Sequence, residues 1–319
     1  MRGAACAAAV FAVGAVLAPA AGATPRALVA ARYVTASSLS PSAAPVPELV
    51  PGRVLQESPD LRPRRELAAR RASPLTPLAA LRKRAARREW GRAFASARAY
   101  ARGRLGRVSF AFVDDGGRVR SWLGRRTFFS ASLVKAMLLV AYLRRRGVRH
   151  SHLSPAVQTV LDPMIRRSDN GAATRMYDVV GSRGLERLAR RVGMRWFATS
   201  PNWGDTQLAA TDQAVFFYGI DRFVPPFHRA YARLLLSHII ALQRWGIPEV
   251  VGHRARVFFK GGWRPSVGGW IVNQSALIEG PGGHRMSLSV LTDHDRTFGY
   301  GHETIRGIAA RLTRPFVRR

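Results

Sequence analysis

Apolar and polar positions alternate along this chain in patterns that predict most of its elements. From Leu78 to Arg102, Leu78, Leu81, Trp90, Phe94 and Tyr100 recur among arginines at helical spacing. In "RVSFAFVDDGGRVRSWLG" two β-rich runs flank Asp115-Gly116-Gly117, which predicts a hairpin. "SASLVKAMLLV", from Ser130 to Val140, predicts a buried helix opening at Ser132 and ending at "RRRG", where late arginines and Gly147 fit a C-terminus. Helical patterns continue from Ser154 to about Gln243. Three apolar runs then read as strands, "ARVFFKGGW", "GGWIVNQSALIEG" and "HRMSLSVLTD", before a final amphipathic helix, "HETIRGIAARLTRPF". There is no internal repeat. Helix, hairpin, helices, three strands and a last helix is not the βαβα alternation of a parallel sheet. The order predicts an α+β domain: an antiparallel sheet flanked by helices, with an all-helical lobe over about 133–250.

The N-terminal third reads differently. Arg2 precedes a small, apolar stretch that ends in Ala21-Gly22-Ala23, the pattern of an export signal over 1–23, with an uncleaved anchor as the alternative. Cys6, the only cysteine, lies inside that segment. A mature chain would thus have no disulfide, thiol nucleophile or cysteine-based metal site. Residues 24–77 are rich in Ala, Pro and Arg without sustained periodicity and read as a linker, leaving 78–319 as the folded domain. The expected location is secreted, periplasmic or at the cell envelope.

Net charge sharpens the picture. At +32 it is extreme, and the 53–107 segment alone holds 16 Lys and Arg against four acids. Such a segment draws anionic polymers, here an anionic cell-envelope polymer; the alternative is a solvated basic surface produced by general arginine enrichment. Charge alone carries no base-specific information, so no specific nucleic-acid partner is expected, and the chain is expected to be a monomer.

Of the 51 Lys and Arg only three are lysines, Lys83, Lys135 and Lys260. Ser132 and Lys135 stand i, i+3 on one helix face. A serine hydroxyl needs a base, and an unprotonated lysine amine can serve, whereas arginine does not give up its proton. Read alone, the pair is equally a capping serine and a snorkelling lysine. Ser168-Asp169-Asn170 before Gly171 reads as a tight loop, or simply as a turn ahead of a helix. In "VFFKGGW", Lys260 ends an apolar strand and Gly261-Gly262 leave the backbone bare, which suits a ligand's close approach or a plain strand end. No Gly-x-Ser-x-Gly elbow, phosphate loop or dinucleotide fingerprint occurs. The histidines of "RHSHLS" and the "DHD" of Asp293 to Asp295 lack partners at metal-ligand spacing and read as surface loops. No metal or cofactor is expected.

Ser-x-x-Lys, Ser-Asp-Asn and Lys-x-Gly in this order resemble the serine penicillin-recognising superfamily, the class A β-lactamases and penicillin-binding D,D-peptidases. The resemblance covers about Leu78 to the C-terminus and implies a five-stranded antiparallel sheet with flanking helices. It implies Ser132 as the acylated nucleophile, Lys135 as its base, Ser168 as proton relay and Asn170 as a ligand for the substrate amide. Lys260 would supply positive charge and help keep Lys135 neutral; Asp169 would brace its loop. The backbone amides of Ser132 and Trp263, beside Gly261 and Gly262, would form the oxyanion hole. The implied substrate is a β-lactam or a peptidoglycan-type peptide, and the implied enzyme a serine hydrolase.

Two departures stand out. The family's third motif usually has Thr or Ser where this chain has Gly261. Class A enzymes also carry a Glu-x-x-Leu-Asn loop whose glutamate activates the deacylating water. Here the corresponding segment reads "WFATSPNWGDTQLAATDQA", with Asp205 as the candidate substitute and Asp212 as the expected cap of the next helix. The 36-residue step from Ser132 to Ser168 is short for class A and predicts a trimmed lobe. Slow deacylation, as in a D,D-peptidase, and a non-catalytic envelope-binding protein are the alternatives that these departures raise.

Overall fold

The computed structural model describes residues 77–317. The chain divides into units of 1–69 and 70–319, and every described residue belongs to the second. The expected signal segment, residues 24–76 of the expected linker, and the 53–76 part of the basic segment lie outside the described residues, while Pro77 opens the first helix.

A long helix, α1 (Pro77–Arg102), leads into β1 (Arg107–Val113) and β2 (Val119–Trp122). Asp114 Oδ1 accepts from the amides of Gly116 and Arg118, closing the predicted hairpin turn. A short strand, β3 (Thr127–Phe129), is followed by α2 (Lys135–Leu143), α3 (Pro155–Arg166) and α4 (Asn170–Val192). Next come β4 (Gln207–Ala209), α5 (Ala210–Tyr218), α6 (Ile220–Phe223), α7 (Arg229–Ser237) and α8 (Ile247–Val251). The chain closes with β5 (Arg256–Ser266), β6 (Gly269–Glu279), β7 (Arg285–Asp295) and α9 (Phe298–Val317).

The main sheet has five antiparallel strands in the order β2-β1-β7-β6-β5, as expected, so β5 is an edge strand. Successive strand residues point to opposite faces, and each face builds its own core. One face carries Phe110, Phe112, Phe259 and Val290 under α1, α8 and α9, with Trp90 stacked 5.2 Å from Phe112. The arginines of α1 stay outside: Arg84, Arg88 and Arg98 are exposed while Trp90, Ala97 and Ala101 are buried. The other face receives α5 and, beyond it, α2. All nine residues of α2 are buried, as befits a helix apolar on every side. α3, α4 and α7 wrap around it.

Several expectations are corrected. The helix expected to open at Ser132 begins as a 3₁₀ turn over Ala131–Val134, and the α-helix proper starts at Lys135. It ends at Leu143, before the arginines. The lobe of 133–250 is not all helical, because β4 pairs with β3 in a separate two-stranded sheet. α5 packs on β1, β6 and β7 and so belongs to the sheet layer. Asp212 caps nothing: it lies inside α5, buried, where its carboxylate accepts from the Arg195 and Trp196 amides, while burial pushes its pKa up. Asp293 and Asp295 are buried at the end of β7, not on a surface loop; His294 between them is exposed with φ +58°.

Candidate active site

The motif residues converge where the N-terminus of α2 meets the edge strand β5. Ser130 anchors the entry. Its amide donates to the Thr206 carbonyl at 2.8 Å, and its hydroxyl lies 3.1 Å from the Ala131 carbonyl and 3.3 Å from those of Trp203 and Gly204. Asn273 on β6 donates to the Phe129 carbonyl at 2.8 Å and accepts from the Thr292 amide, tying this entry to the sheet. Ala131 is held at φ +44°, a costly conformation for a residue with a Cβ, immediately before Ser132. Ser132 is partly exposed while Ala131, Leu133, Val134 and Lys135 are buried, so the turn opens to solvent at that one hydroxyl.

Lys135 is fully buried, and Nζ donates to the Ser168 carbonyl at 2.5 Å and to Asn170 Oδ1 at 2.8 Å. Ser168 Oγ lies 3.3 Å away. Ser168 sits at φ +60°, a left-handed conformation that turns both its carbonyl and its hydroxyl toward the lysines. Lys260, also fully buried, reaches the same hydroxyl at 3.1 Å and the Gly261 carbonyl at 2.8 Å. One hydroxyl thus bridges two buried amines.

Two charges cannot both persist there at low cost. Burial lowers the Lys135 pKa to about 7, against the opposing pull of the Asp169 carboxylate. Complete burial, and then the Lys135 charge, hold Lys260 well below the ordinary lysine range. A neutral Lys135 can give its two hydrogens to the Ser168 carbonyl and Asn170 Oδ1 and keep a lone pair to accept a proton.

Asp169 stands outside the network. It is the N-cap of α4, accepting from the Ala172 amide at 2.7 Å. Gly262 explains its lack of a side chain: a Cβ there would sit 2.4 Å from the Leu133 nitrogen and 2.7 Å from that of Ser132. Only glycine lets β5 approach this turn so closely. Trp263 sends its ring to the opposite face, against Trp245 at 5.6 Å and Phe298 at 5.7 Å, so only its backbone adjoins the turn. Gly261 faces the Trp245 indole, whose Cζ2 would lie 3.1 Å from an added Cβ. Where the superfamily usually has a hydroxyl, this chain has made room for a ring.

Asp205 lies on the neighbouring segment, in a 3₁₀ turn over Trp203–Asp205, but its carboxylate is engaged by the Arg264 guanidinium. The group facing Lys135 from that segment is Trp203, with its ring centroid 4.7 Å from Nζ and its Nε1 donating to Thr174 Oγ1. Neither Trp203 nor Arg264 could be singled out in the sequence; the one signal was the position of Trp203 in the segment expected to carry a glutamate. The two glutamates between Gly171 and Phe259, Glu186 and Glu249, bond Thr199 and His302. Among the described residues no group of three His, Cys, Asp or Glu could hold a metal ion.

Comparison with known proteins agrees with this architecture. The model of the beta-lactamase enzyme family matches residues 145–316. None of the curated proteins matches. Among solved structures, a β-lactamase from Sphaerobacter thermophilus is similar at 21% identity and a TM-score of 0.60, over 70% of this chain and 96% of that one. A class A β-lactamase from Mycobacterium abscessus gives 20% and 0.60, over 70% and 99%. A variant of PBP-A, solved as an acyl-enzyme complex with penicillin G, gives 18% and 0.59, over 72% and 97%.

Proposed function

Because this chain belongs to the beta-lactamase enzyme family, we propose that it is an exported serine hydrolase that acylates Ser132 with a β-lactam or a peptidoglycan-type amide and releases the acyl group slowly. The observation that carries this reading is the shared hydroxyl of Ser168, bonded between two buried lysines of which one has its pKa near 7.

In this reading neutral Lys135 takes the Ser132 proton as Oγ attacks the carbonyl carbon. The resulting oxyanion is held by the Ser132 and Trp263 amides, each such donor being worth about 10²–10³ in rate. The proton passes from Nζ through Ser168 Oγ to the departing nitrogen as the C–N bond breaks, leaving an acyl-serine ester. The positive charge that the resemblance implies for Lys260 is opposed by its complete burial and by the Lys135 charge, which favour a neutral amine, so the pair carries at most one charge at low cost. Asn170, whose Oδ1 accepts from Lys135, would donate from its amide nitrogen to the substrate carbonyl.

Release of the ester needs a base for water, and the indole of Trp203 has no lone pair to offer. Asp205 remains the carboxylate to test, but it is already engaged by the Arg264 guanidinium. This supports a long-lived adduct. The pair is partly exposed and worth ~0.2–1 kcal/mol. Asp205→Asn is therefore expected to change adduct lifetime by less than about fivefold, the size of effect that such a pair can exert. A tenfold longer lifetime in that variant would make Asp205 the deacylating base.

The deciding experiment follows intact mass over time after mixing the protein with penicillin G. An adduct of the drug's mass that persists is expected; rapid loss with turnover would mean efficient hydrolysis, and no adduct would remove the acyl-serine reading. The acylation rate should depend on pH in one direction. Below about pH 7 Lys135 is increasingly protonated and cannot accept, so the rate should fall about tenfold per unit; above it the rate should level off. A flat profile from about pH 5 to 8 would contradict a lysine base.

A further inference from the structure

The C-terminal end of α2, about 12 Å along the helix axis from Lys135, opens into a second cleft of about 1200 Å³. Arg144, Arg145, Arg146 and Arg149 line it from the turn after α2, and Arg187, Arg190 and Arg191 from α4. Its floor is apolar, formed by Ala141, Tyr142, Val148 and Leu188. Gly181, at φ +65°, breaks the helical path of α4, and the segment after the break carries the three arginines.

An arginine-rich protein will show arginines everywhere, many of them without a carboxylate, so the discriminating fact is that seven line one concavity and, among the described residues, no carboxylate is paired to any of them. Arg107, Arg233, Arg264 and Arg306 each sit against a carboxylate. Among the described residues none of the seven cleft arginines does; Arg144 and Arg145 donate instead to the Phe223 and Val179 carbonyls. The C-termini of α2 and α4 end here and offer about half a negative charge each, far short of seven guanidinium groups. Burial, and then the charges of Arg191 and Arg149, hold the Arg144 pKa below its ordinary value. The cluster is thus repulsive as it stands, and folding keeps it concave and open. That combination is stabilised by an anion.

We propose that this cleft binds a phosphodiester chain through its phosphates, at a site separate from the one around Ser132. Guanidinium forks match phosphate oxygens in bidentate pairs, and a row of them suits repeated charges more than a single one. Tyr142, the aromatic residue among those lining the cleft, is buried, so no platform is offered for stacking bases. Recognition runs through the backbone of the ligand, as in a polyol-phosphate polymer of the envelope; a nucleic-acid strand is the other source of the same chemistry. The inference does not depend on acylation at Ser132.

The test uses the full chain with fluorescein-labelled poly(glycerol phosphate), read by anisotropy over a series of salt concentrations. Arg187→Glu, Arg190→Glu and Arg191→Glu combined are expected to weaken binding more than about tenfold and to flatten the salt dependence by about two to three phosphate contacts. A charge-matched control, Arg118→Glu, Arg254→Glu and Arg296→Glu, changes three exposed arginines elsewhere and should cost less than about threefold. Unchanged far-UV circular dichroism and thermal midpoint exclude misfolding of either variant. Equal losses in the two variants, or no loss in the first, would overturn the proposal, because the whole-protein field would then account for binding. An oligodeoxythymidine with the same number of phosphates tests the choice of occupant: weaker binding than the glycerol phosphate polymer supports the envelope polymer, and stronger binding overturns that assignment.

Discussion

Lys135→Arg is expected to stop acylation of Ser132, with the rate of penicillin G adduct formation falling by at least about 10³-fold, within the range a positioned general base supplies. The charge is kept in this variant, so any role resting on charge alone would survive. What is lost is the ability to be neutral. The lysine reaches that state because burial lowers its pKa to about 7, and the guanidinium cannot follow. Arginine is also longer, and its fork would meet the Ser168 carbonyl and Asn170 Oδ1, now 2.5 and 2.8 Å from Nζ. A second variant separates misfit from chemistry. Lys135→Met fills the same buried space without a charge or a basic lone pair, should fold, and should be equally unreactive. Intact mass after mixing checks both, alongside Ser132→Ala, which must show no adduct. Wild-type acylation by either Lys135 variant would remove the base role.

Gly262→Ala is expected to have the second largest effect. An added Cβ would meet three backbone atoms: the nitrogens of Leu133 and Ser132 at 2.4 and 2.7 Å and the Ser130 carbonyl oxygen at 2.8 Å. None of these can rotate away, so β5 must separate from the 3₁₀ turn. Overpacking of this kind costs about 1–3 kcal/mol of stability. The separation also pulls the Ser132 and Trp263 amides apart. Loss of one well-placed oxyanion donor lowers rates by about 10²–10³, and a comparable fall in acylation is expected. Gly261→Ala, one residue away, is the control. Its Cβ would meet the edge of the Trp245 ring at 3.1 Å, a side chain that can shift by a few tenths of an ångström. That variant should acylate within about threefold of wild type and lose less than about 1 kcal/mol, as tolerated core changes do. Stopped mixing with mass detection and thermal melts would check the pair. Equal acylation by the two variants would show that close approach of β5 to the turn is not needed.

The elements were legible along the chain because their signals are local. Alternation in "RVSFAFV" and the Asp-Gly-Gly turn needed no partner to be read, and the same holds for the three late strands and the terminal helix. Scarcity helped with the site, since Lys135 and Lys260 stand out where positive charge is otherwise arginine. That Lys135, Ser168, Asn170 and Lys260 would meet followed from motif order, and the hydrogen bonds bring those four together.

Other features exist only through contacts distant in sequence. Ser132 lies within a 3₁₀ turn rather than at the start of an α-helix because Ser130 is pinned to the Thr206 carbonyl just before β4 and Gly262 presses on the turn from β5. Asp212 looked like a cap because capping residues are read from their neighbours, yet its partners are 16 and 17 residues away. Asp205 meets Arg264 and Trp203 meets Lys135 across 59 and 68 positions of sequence. The sequence by itself determined which groups are available: one serine-lysine pair, two motif lysines, a bare Gly-Gly pair and no glutamate in its expected loop. The tertiary structure decided which of them are neutral, which carboxylate is already paired and which ring covers the base. Burial and pairing set those properties, and both depend on what the rest of the chain brings near.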